Sequence, residues 1–112
     1  MQEEIWKDIP GYEGLYQVSN QGRVRGYDRV VYQSDGKTRR QKGAIKKLSV
    51  GKRGYLHCCL TLNRIQRNYV VHQLVAYAFL NHKPQGHTMV VDHINNVKTD
   101  NRLVNIQIVT NR

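Results

Sequence analysis

Acidic residues are scarce in this 112-residue chain: 8 Asp and Glu stand against 18 Lys and Arg, for a formal net charge of +10. Cysteine is scarcer still. Its two copies, Cys58 and Cys59, are adjacent, and chain neighbours rarely bond to each other. A disulfide framework is therefore excluded and a reducing compartment fits. No CxxC pair accompanies His57-Cys58-Cys59, so that run reads as structural rather than zinc-binding, with one thiol facing the core. No apolar run approaches the ~20 residues that cross a bilayer. The opening Met1-Gln-Glu-Glu-Ile-Trp6 lacks the basic flank and apolar stretch of a signal peptide, so a cytoplasmic location is expected. Internal repeats and low-complexity linkers are also missing. What is present, 39% hydrophobic and 23% charged residues, is enough for one ordinary domain or two small modules sharing a core.

The positive charge is concentrated. Residues 21–70 hold thirteen Lys and Arg against Asp28 and Asp35, a net of +11, whereas residues 1–20 are net acidic. Such a segment repels itself in a compact fold unless a polyanion lies beside it. Tyr27, Tyr32, Tyr55 and Tyr69 interleave the charges, which favours a nucleic acid over a merely solvated face. A membrane surface fits less well, because the segment contains no basic amphipathic helix.

Strand signals dominate the first 70 residues. Leu15–Val18 and Arg23–Tyr27 read as short strands joined by the turn Ser19-Asn-Gln-Gly22. Period-2 alternation sends Val24 to one face and Arg23 and Arg25 to the other. Val30–Gln33 continues the pattern up to the turn Ser34-Asp35-Gly36. The basic stretch with Lys37, Arg39, Arg40 and Lys42 is expected to be a loop. Ala44–Val50, Tyr55–Leu62 and Gln66–Val71 read as further strands of one small antiparallel sheet. His72–Leu80 is the single helix, with Leu74, Val75, Ala78 and Phe79 on one apolar face and Pro84 beyond its end. Two strands follow, Thr88–Asp92 and Asn105–Thr110, around a polar loop crowded with Asn95, Asn96, Asp100, Asn101 and Arg102.

The chemistry is expected at Asp92-His93. A carboxylate is a hard ligand for Mg²⁺ or Mn²⁺, and an imidazole accepts a proton near neutral pH. An isolated Asp-His pair at a strand end is more often a hydrogen-bonded structural pair, so the dipeptide alone decides nothing.

The wider pattern does more. His72-Gln-Leu-Val-Ala-Tyr-Ala-Phe79, Val91-Asp-His-Ile-Asn-Asn96 and the run from Lys98 to Thr110 resemble the HNH endonuclease family in its homing branch. The opening from Ile5 to Arg25 is similar to the module that precedes many phage- and intron-encoded HNH domains. This resemblance implies an α+β fold: a small antiparallel β-sheet module over residues 1–70, binding DNA, then an incomplete ββα-metal (His-Me finger) HNH domain over 71–112. It implies Asp92 as a metal ligand and His93 as the general base that activates water against a phosphodiester. Asn105, on the second strand, would orient the histidine and hold the loop. One divalent ion, Mg²⁺ or Mn²⁺, would serve the site, leaving 5′-phosphate and 3′-hydroxyl ends. A monomer with one site would nick double-stranded DNA, and neither a membrane nor a small-molecule substrate is expected. The family's last metal ligand would fall just past Arg112, so this form is expected to bind DNA and cleave weakly or not at all.

Candidate DNA contacts are Arg23, Arg25, Lys46, Lys47, Lys52, Arg53, Arg64 and Arg67, on or beside strands where a rigid sheet can present them. Trp6, Tyr12 and Tyr16 read as core rather than base-stacking groups. His72 reads as a packing residue, and His82 and His87 as surface. A non-catalytic nucleic-acid-binding module remains the alternative. A ribosomal type of RNA-binding protein fits the charge but does not explain the Asp-His-Asn pattern.

Overall fold

Gly22 sits at φ 83°, a conformation that side chains resist, and closes the turn between two short strands. Its N–H donates to the carbonyl oxygen of Ser19 at 3.0 Å. The Ser19 hydroxyl accepts from the N–H groups of Gln21 and Arg23 at 3.1 and 3.2 Å. The structure, a computed structural model, describes residues 3–81 and 89–110.

Strands β1 (Trp6–Asp8), β2 (Tyr16–Ser19) and β3 (Val24–Gly26) form an antiparallel sheet in that order. Val18 and Val24 lie opposite each other, both 0% exposed, while Arg25 is half-buried and Arg23 exposed. The expected alternation holds. Strands β4 (Arg29–Tyr32) and β5 (Thr38–Gln41) form a separate two-stranded ribbon. The stretch expected to be a loop is thus partly strand, with Arg39 and Arg40 paired to Val31 and Val30. An all-polar sequence carries no alternation to read; the Asp35-Gly36 turn and the backbone ladder set this strand instead.

The expected strand Ala44–Val50 is also corrected. Around Ile45 the chain bridges to Arg25 of β3, and only Ser49–Val50 (β6) joins β7 (Leu56–Leu62) and β8 (Ile65–Val70) in a third sheet. The segment serves two sheets in turn, so neither pairs along its length. Asn63 and Arg64 connect β7 to β8, both at positive φ, as a two-residue hairpin turn requires.

Helix α1 (Val71–Leu80) follows β8 without a side-chain cap, so packing rather than capping supports it. Asn81 ends it in the left-handed region at φ 54°, its N–H donated to the carbonyl oxygen of Ala76. Pro84, His82 and His87 lie outside the described residues. The last two strands, β9 (Met89–His93) and β10 (Ile106–Thr110), form an antiparallel pair. Asn105, expected on the second strand, instead ends a 3₁₀ turn, Leu103–Asn105. Its N–H closes that turn on Arg102 O at 2.9 Å, so only its carbonyl oxygen continues the ladder, accepting from Ile94 N–H at 2.8 Å.

One hydrophobic cluster joins all of this. Ile9, Val18 and Val24 from the first sheet meet Leu60 of β7, Val71, Leu74 and Val75 of α1, and Ile106 of β10. Burying each such side chain stabilises the fold by ~1.5–3 kcal/mol. Tyr12 and Tyr16 belong to this cluster as expected, and Trp6 is half-buried. Cys58 is buried and Cys59 exposed, with burial pushing the Cys58 thiol up to about 11. The architecture is α+β, with small antiparallel sheets around one helix. The first 70 residues carry three sheets where one was expected.

Candidate active site

Strand alternation separates the two residues at the end of β9: Asp92 is exposed and His93 is 4% exposed. Asp92 faces Gln107 across the β9–β10 pair, and the Gln107 amide donates to Asp92 Oδ2 at 3.1 Å. The His93 ring lies against two aromatic rings. His72 approaches edge-on with centroids 4.7 Å apart, and Tyr55 stacks at 5.9 Å. His93 Nε2 is 2.7 Å from Asn101 Oδ1 in a buried contact. An amide oxygen only accepts, so Nε2 is the donor in this contact and carries a proton; in the neutral ring the lone pair then lies on Nδ1.

Asn105 does something other than orient the imidazole directly. Its Nδ2 donates to Asn95 Oδ1 at 2.9 Å and to Asp100 O at 2.8 Å, and its Oδ1 accepts from Asn95 N–H at 3.0 Å. Asn105 is thus bonded to the loop at Asn95 and Asp100, and the side-chain bond to His93 belongs to Asn101. Arg102 clamps Asp100 with two 2.8 Å hydrogen bonds, which hold that carboxyl down at about 2. Lys98 reaches back to Arg53 O at 2.7 Å and lies over the Tyr55 ring, tying the loop to the turn before β7.

His72 was expected to be a packing residue, and it does pack, but against the candidate base. It is 6% exposed and its Nδ1 has no partner. Burial first, and the nearby His93 second, depress its ring to about 4, so it is neutral at physiological pH. Beside it opens a cavity of about 610 Å³ whose walls include Lys52, Arg53, Tyr55, His57 and Gln73.

The candidate DNA contacts divide into groups. Lys46, Lys47 and Lys52 share a groove of about 710 Å³ with His57, Cys59 and Asn68. Lys52 and Arg53 also wall the cavity beside His72. Arg23 is ion-paired with Glu4, whose carboxyl is lowered to about 2 by that hydrogen bond. Arg25 lies over the Trp6 ring at 4.1 Å and bonds Gln17 Oε1 through Nε and Nη2. Arg64 projects from the β7–β8 turn. Arg67 pairs with Leu60, one position from Asn68 and therefore on the opposite face of the sheet from the lysine groove. It lines a different hollow with Tyr12, Tyr69 and Tyr77.

The NUMOD4 motif matches residues 4–61, and the HNH endonuclease family matches residues 69–112. The chain belongs to the HNH homing endonucleases with an N-terminal NUMOD4 motif. It is 36% identical over 107 residues to DNA endonuclease I-HmuI of Bacillus phage SP01, covering 96% of this chain and 53% of that one. It is 35% identical to the uncharacterized HNH endonuclease L247 of Acanthamoeba polyphaga mimivirus, covering 96% of this chain and 24% of that protein. A solved structure describing DNA binding and cleavage by the HNH homing endonuclease I-HmuI matches with a TM-score of 0.69. That match spans 95% of this chain and 52% of the other. The chain thus covers about half, or less, of the length of these relatives.

HNH nucleases generally use a divalent metal. The donors of this HNH chain fit one in part. Asp92 presents an exposed carboxylate with Oδ1 unengaged, and a Mg²⁺ ion is commonly held by one or two carboxylates together with water and substrate phosphate. Among the described residues no group of three or more His, Cys, Asp or Glu could enclose an ion. No helix among them is long and apolar enough to cross a membrane.

Proposed function

We propose that this chain is a DNA endonuclease unit of the HNH homing type that nicks double-stranded DNA as a monomer. Residues 1–70 grip the duplex and residues 71–112 carry the hydrolytic site. The observation that carries the reading is the end of β9, where a buried His93 with a free Nδ1 adjoins an exposed Asp92. His93 Nδ1 takes a proton from water, the resulting hydroxide attacks phosphorus, and the bond to the 3′ oxygen breaks, that oxygen taking up a proton from solvent. The products carry 5′-phosphate and 3′-hydroxyl ends. A Mg²⁺ or Mn²⁺ ion held at Asp92 would supply positive charge to the crowded phosphate and the departing oxygen. Asn101 keeps the proton on Nε2, and Asn105 fixes the loop on which Asn101 rides.

The duplex runs along the groove of Lys46, Lys47 and Lys52 toward Arg53 and the cavity beside His72, as the placement of these cations supports. Arg25, on its Trp6 shelf, extends that surface; Arg23, Arg64 and Arg67 contribute less. In this reading, cleavage by the 112-residue form is weak beside its binding.

Supercoiled plasmid incubated with Mg²⁺ or Mn²⁺ tests this. Slow appearance of nicked circles, together with a gel shift that weakens with salt, is expected. A shift without nicking in either metal would instead assign the chain to non-catalytic DNA binding.

A further inference from the structure

We propose that Asn101 is the positioning residue of His93, and that the β2–β3 turn of the NUMOD4 motif, through Gly22, locks Asn101 in place. The inference deepens the nuclease reading and rests on it for the link to cleavage. The contact between Asn101 and His93 is the one side-chain hydrogen bond that His93 makes among the described residues. It selects the tautomer with Nε2 protonated, which is the form that leaves Nδ1 able to accept a proton. Asn101 is 3% exposed and its Nδ2 has no partner. Hydrogen bonds from the amide nitrogen therefore do not fix the side chain; packing and the imidazole do.

The packing comes from the other end of the chain. A Cβ on Gly22 would lie 2.8 Å from Asn101 Cβ and 3.0 Å from its carbonyl carbon and oxygen. No other residue fits so close, and the φ of +83° adds a second reason for glycine. Next to this contact the Leu103 N–H donates to Asn20 O at 2.7 Å. Asn20 is itself fixed, 2% exposed, with Oδ1 accepting from Ile5 N–H at 2.8 Å and Nδ2 donating to Glu3 O at 3.0 Å. The loop that carries Asn101 thus rests on a braced turn of the N-terminal motif. The motif is part of the catalytic unit, and its removal or distortion would disturb the base rather than only the grip.

The tautomer of His93 is read by two-bond ¹H–¹⁵N correlation in the 112-residue chain at mildly alkaline pH, without DNA. The wild-type ring is expected as the Nε2–H form. Asn101→Ala is expected to lose that preference, and Asn101→Asp, which still accepts from Nε2–H, to restore it. Gly22→Ala is expected to lose it as well. If Gly22→Ala does not fold, Ser19→Ala, which removes the hydroxyl that shapes the same turn, gives the equivalent reading. In the plasmid assay Asn101→Ala should lower kcat about 10- to 100-fold with KM little changed. A wild-type ring signature in Asn101→Ala would overturn the positioning role. The same signature in the turn variants would overturn the link to Gly22. A chain with the expected signatures that never cleaves DNA would sink the nuclease reading and still support this placement of the base.

Discussion

Asn105 donates a hydrogen bond from Nδ2 to the carbonyl oxygen of Asp100 at 2.8 Å, closing the loop between β9 and β10 from the inside. With its two further bonds to Asn95, this buried amide satisfies backbone groups on both sides of the loop. Replacing it with alanine leaves those part-buried groups without this partner. Asn105→Ala should cost about 1–3 kcal/mol in denaturant unfolding and broaden the amide signals of residues 94–102. Unchanged stability and unchanged loop signals would show that the amide is dispensable.

Core truncation tests whether the two parts fold together. Leu60 of β7 is 0% exposed, in the cluster shared by Val24 of the first sheet, Val75 of α1 and Ile106 of β10. Leu60→Ala should lower stability by about 2–5 kcal/mol and keep one cooperative transition. Two separated transitions, one of them unaffected, would contradict a common core.

Much of this was legible from sequence where the signal is local. The turn at Asp35-Gly36, the inward Val24 between outward arginines, the helix near His72 and the Asp92-His93 pair at a strand end all follow from short-range periodicity or turn chemistry. The contacts that complete the site do not. Asn101 meets Gly22, and His72 meets His93, across long stretches of chain, and no periodicity reports such a meeting. Strand β5 was missed because its residues are all polar, and the strand expected at Ala44–Val50 was broken because its segment divides between two sheets.

His72 gives a pH prediction with a definite sign. Its folded-state value, about 4, lies below the ordinary 6.5, so the unfolded chain binds the extra proton between them. Its contribution to stability is full above pH 6.5 and is lost as pH falls toward about 4. The gap corresponds to at most about 3 kcal/mol. His72→Phe, compared with wild type by chemical denaturation across that window, should flatten the acid loss. Parallel curves would remove His72 as its source.

The cations should not contribute equally to binding. Lys47→Ala and Lys52→Ala, in the exposed groove, should each weaken DNA binding and reduce the slope of log affinity against log salt by about 1. Arg23→Ala should change the slope much less, because Glu4 already engages that guanidinium. Fluorescence anisotropy of a labelled duplex over a salt series reads both. Equal slopes for all three variants would remove the distinction between groove and paired arginine.

If His93 is the general base of metal-dependent DNA hydrolysis, removing its imidazole must abolish the cut without loosening the grip. The most direct measurement is the initial rate of supercoiled plasmid nicking in Mg²⁺ or Mn²⁺ for the wild-type chain and His93→Ala, each matched for DNA binding. Slow nicking by wild type is expected, with a loss of about 100-fold or more in His93→Ala at equal DNA affinity. Nicking by His93→Ala at the wild-type rate would contradict it.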